Sequence, residues 1–229
     1  MKTYHTITEQ EYAEFAIDNI DAVSGSKVQR IRRYAGKSIL DVGCGPGAYL
    51  QALKTLDYQV AGVDSNRMFI YQASQFTDQI FLLDLEVEAL SMFDDESFDT
   101  VLILDVLEHI ENDEDVLRDA MRVCRQNVII SVPAPTPDSL NNSPFVFRSY
   151  VDPTHLRYYS QSDLANLFLK AEVNSYEMEP VLRFDPILYQ VLPWYFRCPL
   201  AFINKIILKF SDSTLFAAVW FGVGWKKPT

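Results

Sequence analysis

The sequence predicts an α/β fold built on a doubly wound, mostly parallel sheet. Three observations carry that expectation. Nearly unbroken apolar runs alternate with helical patterns from residue 36 to 133, as strands covered on both faces require. The first run, Ser38 to Val42, ends in Gly43, Gly45 and Gly47, and a helical pattern starts at Ala48. The second run, Val60 to Val63, ends in Asp64, 21 residues beyond Gly43. A strand, a tight glycine turn and a helix N-terminus let backbone N–H groups and the helix dipole approach a ligand closely.

The elements follow in order. Residues 1–35 read as an amphipathic helical cap, with Tyr12, Phe15, Ala16, Ile20 and Val23 at helical spacing. Residues 36–133 read as the α/β core, the part of the chain expected to bind a ligand. Its first helix carries Ala48, Leu50, Ala52, Leu53 and Leu56. A third strand, Gln79 to Leu83, ends at Asp84-Leu85. A fourth begins at Phe98 and ends at Leu104-Asp105, with a short turn at 106–110. A helix over Asp113–Arg125 buries Val116, Leu117, Ala120, Met121 and Val123, and Val128–Pro133 is the fifth strand.

Residues 134–159 lack periodicity and hold several prolines, so they read as a functional loop at the ligand-binding edge of the sheet. Ser160 to Asp163 cap a helix ending near Lys170. Two further strands are expected at 173–182 and 214–226. Between them, 183–213 reads as a helical insert rich in Trp194, Tyr195, Phe196, Phe202 and Phe210.

A chain of 229 residues, 48% hydrophobic, suits one domain with a single core. The net charge of −11 argues against nucleic acid as a partner, because phosphate binding needs a basic surface. Cys44, Cys124 and Cys198 form no C-x-x-C pair, so neither a disulfide framework nor a cysteine metal site is expected, and a cytoplasmic setting is the plain reading. The N-terminus shows no apolar signal region. The insert is both apolar and basic, which suits peripheral contact with a membrane surface or burial between the copies of an oligomer. It is too interrupted by charge to span a bilayer.

The glycine turn by itself is ambiguous, since Gly43-x-Gly45-x-x-Ala48 also fits a dinucleotide fingerprint. Asp64 fits both readings too, as a carboxylate that accepts hydrogen bonds from ribose hydroxyls. The stretch Asp41-Val42-Gly43-Cys44-Gly45-Pro46-Gly47 decides between them. It resembles motif I of the class I S-adenosylmethionine-dependent methyltransferases, an acid followed by Gly-x-Gly-x-Gly. Phe98 to Ile110, with Val106-Leu107-Glu108-His109 inside it, looks like motif IV of the same family.

The resemblance implies a Rossmann-like, seven-stranded sheet whose last strand runs antiparallel, and S-adenosyl-L-methionine as cofactor. It places Asp41 beside the ammonium of the cofactor's methionine end, where a dinucleotide's diphosphate would be repelled. Gly43, Gly45 and Gly47 form the close-approach turn. Asp64 and Ser65 stand at the ribose, Asp84 and Leu85 at the adenine, and Leu104 and Asp105 at the methionine end. Asp152 to Ser160 is similar to an Asp-x-x-His-x-Arg-(Tyr/Phe)-(Tyr/Phe)-Ser segment of some small-molecule members. It makes His155 the candidate general base at the acceptor, with His109 as a second catalytic candidate. Arg157 reads either as a ligand for an anionic acceptor or as a partner for the acidic body.

The function implied is methyl transfer to a small-molecule, lipid-linked or sugar-linked acceptor, with oxygen the expected methyl acceptor. Metal is not expected from the sequence. The alternatives are a cofactor-binding scaffold without catalysis and a nicotinamide-dependent oxidoreductase.

Overall fold

The computed structural model describes residues 25–135, 152, 154–181 and 219–226. The cap before residue 25, most of the 134–159 loop and the 183–213 insert lie outside the described residues, and with them the expected membrane contact. Among the described residues no helix is long and apolar enough to cross a membrane.

Seven strands form one sheet: β1 (Ser38–Val42), β2 (Gln59–Asp64), β3 (Ile80–Leu82), β4 (Phe98–Leu104), β5 (Cys124–Pro133), β6 (Ser175–Val181) and β7 (Val219–Trp225). Their spatial order is β3-β2-β1-β4-β5-β7-β6. Neighbours from β3 to β5 pair in parallel, while β7 is antiparallel to both β5 and β6. The order reverses between β1 and β4, and the carboxyl ends of those two strands open the crevice where such sheets bind ligands.

Strict alternation sends side chains to two cores. Leu40 and Val42 of β1, Val101 and Ile103 of β4, and Val128 and Ile130 of β5 face one side, packed with the helices Asp113–Val123 (α4) and Gln161–Lys170 (α5). Ile39, Leu102, Leu104 and Ile129 face the other side. There they meet Ile31 of α1 (Gly25–Tyr34), Leu50 and Leu53 of α2 (Ala48–Lys54) and Ala73 of α3 (Arg67–Ala73). The doubly covered sheet explains why the strand runs read as continuous apolar stretches.

Local chemistry sets the helix starts. The Asn66 side chain accepts from Met68 N at 2.8 Å and Phe69 N at 3.3 Å, capping α3. Ser160 and Asp163 form a reciprocal capping box at α5. Asp113, Glu114 and Asp115 occupy the first turn of α4 and Arg122 its last, matching the helix dipole. α1 is anchored across the sheet, with Ile31 fully buried and Arg30 ion-paired to Glu179 of β6.

The clearest boundary difference from the sequence reading lies between α4 and β5. α4 ends at Val123, and β5 begins at Cys124 rather than near Val128. The polar stretch pairs as strand because Asn127 finds buried partners. Its amide donates to Tyr34 O at 2.8 Å and accepts from Thr100 Oγ1 at 2.7 Å.

Candidate active site

The turn after β1 is stitched to β2. Gly43 N and Cys44 N both donate to Val63 O, at 2.9 and 3.0 Å. Gly43 adopts φ +70°, and a Cβ there would stand 2.4 Å from Val106 Cγ2. Gly45, at φ +53°, has no atom of the described residues within 4 Å of a would-be Cβ. Gly47 caps α2 from φ +92°. The loop therefore needs glycine for its backbone, and at Gly45 it leaves room for a ligand.

Asp41 lies under this loop, 2% exposed. Its Oδ2 has no hydrogen-bond partner among the described residues. Burial, with the charge of Asp64 added, pushes this carboxyl up to about 7. A buried acid of this kind fits a cationic group, and the open face at Gly45 fits the body that would carry it. These two features match the methionine end of S-adenosylmethionine.

The sign of the pH dependence follows. Between its ordinary value near 3.8 and about 7, Asp41 in the folded ligand-free protein keeps a proton that the unfolded chain has released. Its stabilising contribution is full below the lower value and is lost as pH rises through the upper one. An ammonium ligand demands the opposite, an ionised Asp41. The thermal shift given by S-adenosylhomocysteine is therefore expected to grow as pH rises through about 7. Asp41→Asn should abolish that growth. An unchanged profile in the variant would remove Asp41 from the ammonium.

Asp64 closes β2 at 9% exposure. Its Oδ2 accepts from Gly45 N at 2.9 Å and its Oδ1 from Asn66 N at 2.8 Å. The Ser65 backbone N–H also bonds this carboxylate. Burial lifts the group above the usual range, while these three N–H donors pull it back. A carboxylate has about four acceptor sites, so about one is left for a ribose hydroxyl. Asp64 thus shapes the glycine loop, and its place at the end of β2 suits it to accept from a ribose hydroxyl.

Asp84 lies just past β3, half-buried, and caps the turn that follows by accepting from Glu86 N at 3.0 Å. Leu85 packs against the core, and Leu104 is 8% exposed at the end of β4. Asp105 follows in a left-handed conformation, φ +57°. Its carboxylate pairs with Lys27 of α1 and accepts from Ser131 Oγ at 2.9 Å. Lys27 is 2% exposed and also donates to Ser131 Oγ at 2.9 Å. Asp105, a candidate for the ammonium, already holds a cation, whereas Asp41 holds none among the described residues.

A 3-10 turn, Leu107–His109, carries Glu108 and His109. Val106, packed on Gly43, joins this turn to the glycine loop. Residues 154–159 are locked over it, because Leu156 N donates to Glu108 O at 2.8 Å and Tyr159 N to Pro133 O at 3.0 Å. That brings the His109 and His155 rings to 4.8 Å between centroids, edge to face. His155 Nε2 lies 3.9 Å from Glu108 Oε1 and 3.8 Å from Asp152 Oδ2.

The tautomer of His109 follows from its neighbours. Thr154 gives its one hydroxyl proton to Asp152 Oδ1 at 2.5 Å. His109 Nδ1, 2.9 Å from Thr154 Oγ1 and 3.4 Å from Thr154 O, is then the donor, and the lone pair sits at Nε2. Burial and the neighbouring His155 hold His109 below the usual histidine value. Burial, with Asp105 added, holds Glu108 well above the carboxylate range.

Sequence reasoning paired His109 and His155 as catalytic candidates, and the structure brings them together. It missed Lys27, Glu108 and Thr154. Glu108 stands within the motif IV resemblance, but nothing local signals that it is 1% exposed. Arg157 settles on the protein itself, 2.8 Å from Asp113 Oδ2 and 3.0 Å from Glu111 O. Tyr159 is buried with its hydroxyl 2.7 Å from Asp113 Oδ2, a packing role.

Comparison with known proteins agrees with this geometry. Residues 40–132 match the methyltransferase domain family. The ubiquinone biosynthesis O-methyltransferase of Maricaulis maris is 36% identical over 98 residues, 41% of this chain and 39% of that protein. That of Pseudomonas putida is 33% identical over 95 residues, 40% of this chain and 41% of that protein. The match thus spans about two fifths of the length of these curated relatives. A S-adenosylmethionine-dependent methyltransferase structure from Archaeoglobus fulgidus superimposes with a TM-score of 0.64. It covers 94% of this chain and 100% of that one at 21% identity, a likeness of fold.

Fold, glycine loop and family match agree: residues 40–132 match the methyltransferase domain family, inside a fold like that of class I S-adenosylmethionine-dependent methyltransferases. S-adenosyl-L-methionine is the cofactor of that class.

Proposed function

We propose that this protein methylates a hydroxyl oxygen of a small acceptor. The observation that carries the reading is the Glu108–His109–His155 group beside the glycine loop, with Glu108 buried and both histidines part-buried. The relatives named as O-methyltransferases support oxygen as the atom methylated.

The cofactor supplies a sulfonium methyl, already activated for displacement. The chain's own residues do the rest. Asp41 holds the ammonium, the Gly43–Gly47 turn allows close approach, and Asp64 takes a ribose hydroxyl. Asp84 and Leu85 border the adenine side. The acceptor oxygen is held in line with the methyl–sulfur bond, an alignment worth up to about 7–11 kcal/mol. Its proton leaves toward the His109–His155 pair, whose basic nitrogens suit that task near neutral pH. The buried surroundings exclude water from the reacting atoms.

A methyl-labelled cofactor tests this against phenols, catechols, hydroxylated isoprenoids, sugars and amines. Label appearing on oxygen, and lost on extraction of the acceptor, is the expected result. Saturable binding of S-adenosylhomocysteine with no transfer to any acceptor would favour the scaffold reading instead. Transfer to amines alone would overturn the assignment of oxygen.

A further inference from the structure

We infer that Glu108, His109 and His155 form a binding site for one divalent first-row transition-metal ion, placed to hold the acceptor oxygen. The second clause rests on the methyl-transfer reading; the ion site does not. The chain brings these residues together from a 3-10 turn and from a segment 46 residues further on. Each offers one ligand atom, and the three atoms lie within 4.8 Å of one another. Ligands at bond lengths of about 2.0–2.2 Å in a tetrahedral shell stand about 3.3 Å apart, so side-chain rotation suffices to close the set.

Two further observations point to a cation. Glu108 is 1% exposed and its Oε2 has no hydrogen-bond partner among the described residues. An ionised carboxylate buried in that way is costly without a positive partner. The nearby ammonium of Lys27 is committed to Asp105 and Ser131.

The second observation is the support behind His109. Thr154 accepts from Nδ1 and passes its own proton to Asp152, which directs the Nε2 lone pair outward from that anchor. Metal-binding histidines are oriented in just this manner, through a hydrogen bond from the other ring nitrogen.

The donor set narrows the ion. Two imidazoles with one carboxylate favour Zn²⁺, Mn²⁺, Fe²⁺ or Co²⁺ over Mg²⁺ and Ca²⁺, which prefer all-oxygen shells. Three protein ligands leave a position open, as catalytic rather than structural sites do. An acceptor hydroxyl is the group that would fill it under the proposed function; with the ion in place its charge would acidify that hydroxyl, and the proton would pass to Asp152, 3.8 Å from His155 Nε2, while the histidines serve as ligands.

The test uses the full chain without a histidine tag, treated with chelator and then titrated calorimetrically with zinc, manganese and cobalt chlorides. One ion per chain is expected, with visible cobalt bands of a nitrogen–oxygen site. Glu108→Gln and His155→Ala should each weaken binding at least tenfold, and Thr154→Ala about tenfold through loss of the anchor on His109. Unchanged S-adenosylhomocysteine affinity shows that each variant is folded. Wild-type protein that takes up no ion, or variants that bind as well as wild type, would overturn the site. Metal uptake with no methyl transfer to any acceptor would retain the site and reject the reaction. Full methyl transfer by ion-free protein would overturn the ion's place at the acceptor and leave the methyl-transfer reading standing.

Discussion

His155→Ala is expected to cut turnover by about 10²–10⁴-fold, the range for losing a positioned proton-transfer group, while S-adenosylhomocysteine binds as it does to wild type. The two effects separate because of where His155 sits. It comes from the segment locked over the 107–109 turn, not from the loops after β1 and β2 to which the proposed function assigns the cofactor. Its ring packs against His109 at 4.8 Å and Tyr158 at 5.6 Å, with Glu108 and Asp152 near Nε2. The side chain is 6% exposed, so truncation also leaves a cavity, and the melting temperature belongs in the same experiment. His155→Gln, closer in volume, controls for packing. Cofactor affinity and turnover falling together in both variants would assign His155 a structural role.

Asp64→Ala is expected to weaken S-adenosylhomocysteine binding by about 1.5–3 kcal/mol, roughly 10–150-fold, on the scale of hydrogen bonds to a charged group. Two losses contribute. One is the direct bond to ribose. The other is the tie between Asp64 Oδ2 and Gly45 N at 2.9 Å, which holds the glycine turn against β2. Asp64→Asn separates them, because an amide oxygen can still accept from Gly45 N while the charge is gone. An intermediate loss is the expected result for that variant. Calorimetry showing unchanged affinity in a folded Asp64→Ala protein would remove Asp64 from the cofactor site.

The legible parts of this chain are those whose chemistry is local. Ser38–Val42, the three glycines and the helix from Ala48 were readable because a turn with positive φ at Gly43, Gly45 and Gly47 needs those residues in that place. The Ser160–Asp163 capping box is likewise a four-residue signal. Residues 124–127 were not readable as strand. Their pairing depends on Asn127 meeting Thr100 and Tyr34, residues far away in sequence. The same holds at the site. Lys27 reaches Asp105 across 78 residues, and no pattern in an amphipathic helix marks that lysine for burial. Glu108 and His109 meet His155 only after β5 and the segment beyond it return to the 107–109 turn. That is why no metal-ligand spacing is legible in the sequence, although the fold assembles a glutamate and two histidines.

The central claim is that the crevice between β1 and β4 receives S-adenosylmethionine through Asp41, the glycine turn and Asp64. Calorimetric titration of the purified chain with S-adenosylhomocysteine and, separately, with NADH tests it most directly. Saturable one-to-one binding of S-adenosylhomocysteine, weakened in Asp64→Ala, with no heat from NADH is the predicted result. Saturable binding of NADH with none of S-adenosylhomocysteine would contradict it.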